Sequence, residues 1–389
     1  MVLSTLEASD SHKPSSILNA RINRSQARLA AQALSGAIQE YGYAILSVTH
    51  ATGGLSPEAV AQVRFFTANQ DFRESPENQF DKYLDDPTAF DACEIADKPE
   101  DFLKFLGITR LSQTDKRLDF ARNAATFLLV NNITALEIAQ RFDNNALQIR
   151  DGLVTARNIG YGLKKANMFI RDMAELDIWP DLEDFDTIDV ASDINTMKVA
   201  LRTRILQTDI PLLSSFLDIF CYQYGYIDNM SARAWRAVWQ EWRTLDTSTA
   251  PRSPCSMDFL LYRIGREYCK DNLVTYQCEA GHIFHHFGAR LQRCRVCTAR
   301  RRALAFPIAR GLPCQVDVED LPRENGRLLL SAGNLLHTFK GKCVFQEVCQ
   351  PRAEAFQQLD PPKSISIKGR TSWISAYAHR ERGGGGMMG

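Results

Sequence analysis

Residues 158–166 read NIGYGLKKA, and this stretch decides the fold that the sequence predicts. Two glycines, Gly160 and Gly162, alternate with bulky residues directly before an amphipathic segment at 163–176. The pattern predicts a tight turn that opens a helix, because glycine permits backbone conformations that other residues avoid. We expect the amides at that helix N-terminus, with Gly160, Gly162 and Lys165, to hold a phosphate. The same letters also fit an ordinary glycine-containing connection between helices.

Most of the remaining chain up to residue 245 predicts helices as well. Residues 51–110 are broken by Gly, Pro and Asp and predict short helices with long connections. The stripe of Trp235, Trp239 and Trp242 is predicted to be plain core rather than a base-stacking surface. Apolar residues recur at helical spacing across 21–46, 117–129, 133–142, 146–157, 163–176, 194–206, 210–224, 232–244 and 257–270. The predicted fold class is therefore mainly α.

Charge is distributed unevenly along the 389 residues, although the formal net charge is zero. Residues 251–389 hold 21 Lys+Arg against 12 Asp+Glu, whereas residues 1–250 hold 25 against 34. A basic C-terminal part indicates contact with a polyanion in that part of the molecule. The first 16 residues lack the pattern of a secretory signal, and no apolar run reaches membrane-spanning length. We therefore expect a cytoplasmic, nucleoid-associated protein whose ten cysteines are free or metal-bound.

The sequence predicts five segments of different character. They are a flexible N-terminus at 1–20, a helical domain at 21–250, a helix with a zinc module at 251–310, a small β-rich extension at 311–382 and a glycine-rich tail at 383–389. The stretch TSTAPRSPCS at 247–256 is the predicted linker. Predicted strands lie at 273–277, 343–348, 364–367 and 372–377.

Two residues are candidates for chemistry on a sugar. Residues 189–201 read DVASDINTMKVAL, in which Asp193 stands directly before an amphipathic helix, as an N-cap does. When an N-glycosidic bond breaks, C1′ of the sugar gains oxocarbenium character that a nearby carboxylate stabilises. Lys164 is a candidate amine nucleophile on C1′. Alone, Asp193 also fits a plain cap and Lys164 a plain phosphate contact, and Asp189 is the reserve aspartate.

A resemblance to a known family rests on these two motifs. GYGLKKA at 160–166, followed by SDINTMKVAL at 192–201, resembles the hairpin lysine and catalytic aspartate of helix-hairpin-helix DNA glycosylases, which include the oxidised-guanine glycosylases and their archaeal relatives. The resemblance covers about residues 110–245. It implies a glycosylase-type helical domain, with Lys164 as the Schiff-base lysine and Asp193 as the catalytic aspartate.

The same resemblance implies a function and leaves its context open. The implied activity is excision of a modified or damaged base from DNA, with or without AP-lyase activity. One relative in the superfamily is a bacterial phage-defence glycosylase that removes glucosylated hydroxymethylcytosine, so both repair and anti-phage defence stay open. The chain departs from the family at Ala191-Ser192, where a proline-valine type pair is usual, and at Asn195, where many members have histidine.

A metal site is predicted in residues 276–297, YQCEAGHIFHHFGARLQRCRVC. Cys278 and His282 on one limb, with Cys294 and Cys297 on the other, supply four ligands for a closed tetrahedral structural zinc site. The spacing resembles small zinc-ribbon or treble-clef modules. The competing ligands are Cys269, His285 and His286.

An arginine cluster follows the same motif and favours nucleic-acid contact. It comprises Arg290, Arg293, Arg295, Arg300, Arg301 and Arg302, and residues 290–302 contain no acidic residue. The first functional hypothesis is thus a DNA N-glycosylase, whose flipped base would lie against Trp179, Tyr222 or Phe169. The alternative is a non-catalytic nucleic-acid-binding protein that uses the hairpin and the zinc module to hold phosphates. A third reading is an enzyme acting on small nucleosides.

Overall fold

The computed structural model confirms the prediction of a mainly helical protein. It describes residues 20–46, 52, 54–70, 76–108, 114–208, 217–269, 273–287, 292–293, 304–311, 323–324, 327–328 and 343–349. These residues form twelve α-helices and eight β-strands, most of the strands short. Within the described ranges, none of the helices is both long and apolar enough to span a membrane.

The helices occupy most of the described chain. They are α1 (Arg24–Tyr41), α2 (Pro57–Ala68), α3 (Pro76–Asp85), α4 (Ala92–Asp97), α5 (Pro99–Leu106), α6 (Thr114–Asn131), α7 (Ile138–Arg141), α8 (Ala146–Thr155), α9 (Leu163–Glu175), α10 (Ile194–Arg202), α11 (Leu217–Leu245) and α12 (Asp258–Glu267). The strands are β1 (Arg21–Ile22), β2 (Leu206–Gln207), β3 (Leu273–Cys278), β4 (Ile283–Phe287), β5 (Gln292–Arg293), β6 (Leu304–Gly311), β7 (Arg323–Glu324) and β8 (Arg327–Leu328).

Contacts within the chain define two compact units. The first unit comprises Met1–Tyr41, Ser192–Ser248 and Leu261–Gly389, and the second comprises Gly42–Ala191 and Thr249–Leu260. The second unit thus contains α2 to α9, together with a short segment that ends three residues into α12. The first unit contains α1, α10, α11, the rest of α12 and the strands.

In the first unit, α1 packs along α11 through small side chains. One face of α1 is fully buried at Ala27, Ala30 and Ala31. Further along α1, Ser35 Oγ donates to Asp246 Oδ2 at 3.1 Å. The predicted helices at 210–224 and 232–244 are one continuous helix from Leu217 onward, while residues 210–216 lie outside the described part.

The tryptophan stripe of α11 is core, as predicted. Trp235 and Trp242 are fully buried and Trp239 is 5% exposed. Trp235 Nε1 donates to the carbonyl of Thr196 on α10 at 3.2 Å, and the Trp235 ring lies 6.0 Å from the ring of Phe345. The stripe therefore joins α11 to its neighbours and offers no free ring for stacking on a base.

A four-stranded sheet of the first unit has the order β4-β3-β6-β5, with antiparallel neighbours. The predicted strand at 273–277 is confirmed as β3. The predicted strand at 343–348 is wrong, because residues 344–348 form turns in which Val348 N donates to Phe345 O at 3.0 Å. Phe345 and Val348 are buried three residues apart, a spacing that suits a turn rather than a strand. The predicted strands at 364–367 and 372–377 lie outside the described residues.

The predicted linker at 247–256 is partly wrong. Ser253 and Cys255 are buried, and Ser253 Oγ donates to the carbonyl of Ile188 at 3.0 Å. Ser253 also caps a short 3-10 turn over Pro254–Met257. Ser253 and Pro254 therefore begin a helical turn that packs against the core of the second unit. In the same turn, burial raises the pKa of the Cys255 thiol far above its usual value.

A buried ion network lies within the second unit. The Asp172 carboxylate is fully buried on α9 and accepts hydrogen bonds from Arg64 Nε at 3.0 Å and from Arg171 Nε at 3.0 Å. Arg171 also binds the carboxylate of Asp258. Burial alone would lower the pKa of the Arg171 guanidinium, but the two carboxylates raise it above its usual value. These charges link α2 and α9 to the start of α12.

We predict that Asp172→Asn lowers the free energy of unfolding by about 3–5 kcal/mol, because two buried guanidinium groups lose a shared counter-charge. Urea unfolding followed by circular dichroism measures the change. The matched control is Glu94→Gln, which removes a carboxylate from the exposed pair with Lys98 and should change stability little. Equal losses for the two variants would contradict the structural importance of the buried network.

Candidate functional site

The hairpin turn requires glycine at position 160, both for its backbone conformation and for lack of space. Gly160 adopts φ +84°, in the left-handed region that residues with a Cβ avoid. A Cβ placed on Gly160 would also lie 2.8 Å from Cγ of Phe120. Asn158, two residues earlier, has φ 56°. The turn at 158–162 is thus fixed by a specific backbone path against α6.

Two apolar residues anchor this turn in the second unit's core. Ile159 and Tyr161 are buried, and the Tyr161 ring stacks on Phe65 with centroids 5.6 Å apart. The Tyr161 hydroxyl donates to the Phe65 carbonyl at 2.7 Å, and Asn69 Nδ2 donates to the Ile159 carbonyl at 3.1 Å. Burial raises the pKa of Tyr161 well above its usual value, so its phenol keeps the proton that it donates.

The second glycine of the hairpin faces open space. Gly162 is exposed, has φ −108°, and would have no atom within 4 Å of an added Cβ. It is the N-cap residue of α9 and provides no side-chain cap. The first amides of α9 have no acceptor within the helix, and the first turn contains no acidic residue. This end of α9 therefore has N–H groups without acceptors in the helix, and it carries a partial positive charge.

The two lysines in the first turn of α9 have different surroundings. Lys165 Nζ donates to the carbonyl of Asn69 at 2.6 Å and lies 5.7 Å from the centre of the Phe120 ring. Lys165, which the sequence predicts as a phosphate contact, therefore helps to anchor the hairpin. Lys164 is half-buried, and no hydrogen bond or ion pair joins its side chain to any described residue.

Asp193 forms a complete capping box at the start of α10 in the first unit. Its Oδ1 accepts from the amides of Asn195 and Thr196, both at 2.8 Å, and its Oδ2 accepts from Asn195 Nδ2 at 3.1 Å. In return, Thr196 Oγ1 accepts from the amide of Asp193 at 2.8 Å. The predicted N-cap is confirmed, and the half-buried carboxylate is held in one orientation.

Close packing reinforces this cap, and the sequence alone gave no sign of it. A Cβ added to Gly265 of α12 would lie 2.4 Å from the carbonyl oxygen of Asn195. Helix α12 therefore lies directly against the first turn of α10. Only a residue without a side chain fits at this crossing, so the glycine is a candidate support for Asp193.

Asp189, the reserve candidate, is tied to the helix that carries Lys164. Asn167 Nδ2, on α9, donates to the carbonyl of Asp189 at 3.0 Å. Asn167 is 7% exposed and lies three residues after Lys164, hence on the same side of α9. Asp189 and Lys164 belong to the second unit, whereas Asp193 belongs to the first. Sequence reasoning missed Asn167, because a buried asparagine inside a helix carries no pattern of its own.

The aromatic residues proposed for a base pocket fill the core instead. Phe169 is fully buried and Trp179 is 4% exposed, with ring centroids 5.3 Å apart in an edge-to-face arrangement. Trp179 Nε1 also donates to the carbonyl of Leu136 at 2.9 Å. Both rings belong to the hydrophobic core of the second unit. The side chain of Tyr222 lies outside the described part.

Half of the predicted zinc ligands lie in the described residues. Cys278 Sγ is 3.5 Å from Nδ1 of His282, across the turn between β3 and β4. Cys294 and Cys297 lie outside the described residues, as do Arg290, Arg295, Arg300, Arg301 and Arg302. The backbone of Arg293 is described in β5, opposite Leu304 of β6.

A scan of protein-family models finds no match to the chain, and a search of curated proteins finds none either. The functional assignment therefore depends on the chain's own residues.

The two hairpin glycines should respond differently to alanine. Gly160→Ala should lower the free energy of unfolding by about 1–3 kcal/mol, because it combines a strained φ with a clash. Gly162→Ala should leave urea unfolding almost unchanged yet weaken duplex DNA binding, because its methyl group occupies the approach to the α9 amides. Native DNA affinity in Gly162→Ala, measured by fluorescence anisotropy, would show that phosphate does not approach this turn.

Proposed function

We propose that the chain is a DNA N-glycosylase that excises a modified or damaged base and leaves an abasic site. The observation that carries the proposal is the N-terminus of α9. There, Gly162 provides no side-chain cap for the first amides, and Lys164 lies in the same turn without an acidic partner among the described residues. Repair and anti-phage defence are both settings in which such an activity is used.

The electrostatics of α9 support an anionic ligand at the hairpin. A lysine near the positive end of a helix dipole is unfavourable, and the first turn has no acidic residue to offset it. A phosphate would accept the amide hydrogen bonds and compensate the charge at once. Contacts of this kind fix the register of a protein on DNA and carry no base specificity, so they suit an enzyme that recognises a base elsewhere.

Asp193 is the proposed source of transition-state stabilisation. Its carboxylate accepts three hydrogen bonds from the first turn of α10, which hold it in place but leave acceptor capacity on Oδ2. In the proposed reaction the C1′–N bond breaks, its electron pair leaves with the base, and the carboxylate faces the positive charge on C1′. Water then adds to C1′ and loses a proton, or the amine of Lys164 adds and loses a proton, after which the C1′–O4′ bond of the sugar opens to give an imine and a 4′-hydroxyl.

A second candidate function is non-catalytic binding of nucleic acid. It is favoured by the capping box itself, because the three contacts of Asp193 are also those of an ordinary helix cap. On this alternative the hairpin and the C-terminal arginines hold phosphates and no bond is broken. The two functions differ in whether the charge of Asp193 is required.

We predict that Asp193→Asn lowers base excision by about two to three orders of magnitude, because the developing charge on C1′ loses its counter-charge. Duplex binding should be preserved. The assay incubates full-length protein with a panel of modified duplexes and cleaves abasic sites with alkali. The matched control is Asp91→Asn at the start of α4, where the aspartate also caps two amides, and native excision is expected there.

The same panel can reject the assignment. Native excision by Asp193→Asn would remove Asp193 from the mechanism, and loss of excision in Asp189→Asn would then move the role to Asp189. Lys164→Gln should abolish trapping of a protein–DNA adduct by borohydride if Lys164 is the nucleophile, whereas Lys165→Gln should retain it. Binding without abasic product from the native protein on every duplex would support the non-catalytic function.

We also predict a steep dependence of DNA affinity on salt. Replacing Arg300, Arg301 and Arg302 together by glutamine should lower the slope of log affinity against log salt by up to about 3, because three phosphate contacts and their released counterions are lost. The control triple variant changes Arg28, Arg141 and Arg233, which are exposed in the helical regions, and should keep the native slope. Equal slopes for native protein and the first variant would assign those arginines to solvent.

A further inference from the structure

Asn167 on α9 has a buried acceptor oxygen without a hydrogen-bond donor. The residue is 7% exposed, and its Nδ2 donates to the carbonyl of Asp189 at 3.0 Å. Its Oδ1 is buried as well, and no described residue donates a hydrogen bond to it. Most buried side-chain oxygens in folded proteins accept at least one hydrogen bond. The orphaned oxygen therefore indicates a donor that reaches it by a side-chain movement.

The carbonyl of Asp189 determines which way the amide of Asn167 faces. A carbonyl oxygen can only accept a hydrogen bond, so it must face the NH2 group of the asparagine and not its oxygen. Exchanging the two ends of the amide would place two acceptor oxygens against each other and lose the bond. The oxygen of Asn167 is thus directed away from Asp189, which keeps it open to another donor.

Lys164 is the donor that the geometry of α9 brings closest to this oxygen. Residues three apart on a helix lie on the same side, with their Cβ atoms about 5–6 Å apart. Helical side chains lean toward the N-terminus, so the side chain of Asn167 covers the turn that contains Lys164. Lys164 has no partner among the described residues, whereas Lys165 already donates to the carbonyl of Asn69. Rotation of the flexible Lys164 side chain can bring Nζ to Oδ1 while the backbone stays in place.

We propose that Asn167 is a positioning residue for Lys164. Its Oδ1 accepts a hydrogen bond from one N–H of the Lys164 amine, and the lone pair of the nitrogen is left to face C1′ of the sugar. Because the amide is uncharged, it orients the amine without the strong preference for the ammonium form that a carboxylate would impose. The inference rests on the proposed function, in which Lys164 is the nucleophile.

The two ends of the Asn167 side chain would then have separate roles. The NH2 group holds the backbone at Asp189, which is the reserve candidate for the catalytic carboxylate. The oxygen orients the nucleophile. A structural role alone accounts for the first contact and leaves the buried oxygen without a purpose, so an experiment must follow the reactivity of Lys164 itself.

The test uses the full-length protein and a duplex that already contains an abasic site. At such a site the amine of Lys164 adds to the C1′ aldehyde, water leaves, and borohydride reduces the resulting imine to a stable secondary amine. The assay therefore reports on Lys164 without requiring the protein to excise a base. Single-turnover rates at a series of protein concentrations separate the maximal trapping rate from the concentration that gives half-saturation.

Asn167→Leu keeps the branching of the side chain and removes both polar atoms. We expect the maximal trapping rate to fall by about tenfold or more, with half-saturation within about twofold of native, because the hairpin still binds phosphate. A purely structural role would instead loosen the start of α9 and raise the half-saturation concentration. The matched control is Asn131→Leu on α6, where Nδ2 donates to the Phe127 carbonyl at 2.7 Å, and native trapping is expected there.

Urea unfolding of each variant gives its folded fraction, and Asn167→Ala replaces Asn167→Leu if leucine prevents folding. Native trapping by the folded variant would overturn the proposal. No trapping by the native protein would also overturn it, because Lys164 would then not be the nucleophile.

Base excision is measured separately, as alkali-sensitive sites in modified duplexes. Excision without trapping would keep the proposed function, with water as the nucleophile, and reject the role of Asn167. Trapping that depends on Asn167, without excision of any base, would support the positioning role and reject the glycosylase.

Discussion

The carboxylate of Asp172, enclosed by Arg64 and Arg171, determines where helix α9 lies in the second unit. A fully buried carboxylate is tolerated only when both of its oxygens are paired, and here each oxygen faces a different guanidinium. Asp258 balances the second arginine. Displacement of α9 would break several charged hydrogen bonds at once, so these contacts strongly favour the observed position of the helix. The same contacts therefore also position the first turn of α9, with Lys164 and Lys165.

In the turn that opens α9, neighbouring residues differ in whether they anchor the turn or are left for the proposed phosphate contact. Gly160 is required by the fold, whereas Gly162 leaves open space. Lys165 donates a hydrogen bond to the carbonyl of Asn69, whereas the side chain of Lys164 has no partner among the described residues. Within each pair, one residue anchors the turn, and the other remains for the phosphate contact that we propose. A rigid turn that leaves amides and an ammonium uncompensated is suited to a phosphate.

The sequence predicted those features that depend on local periodicity and caps. Helices α6, α8, α9 and α10, the strand β3 and the N-cap role of Asp193 were all predictable, because each depends on residues within about one turn. The role of Lys165 was not, because its acceptor on Asn69 lies nearly a hundred residues away. Long-range burial also contradicts the second half of the linker predicted at 247–256 and the strand predicted at 343–348. Such errors arise because serine and proline occur both in linkers and at the start of helical turns, and because apolar residues are buried both in strands and in turns.

The catalytic role that we propose for Asp193 is compatible with its role as a helix cap. Stabilisation of an oxocarbenium-like sugar requires a negative charge already fixed before the reaction, since reorienting a mobile side chain would cost part of the gain. Three hydrogen bonds from α10, and the close contact between Gly265 and Asn195, provide that fixation. An asparagine would keep much of this cap while removing the charge. The geometry of a good helix cap is therefore also the geometry of a preorganised carboxylate, and only the need for its charge separates a catalyst from a binding protein.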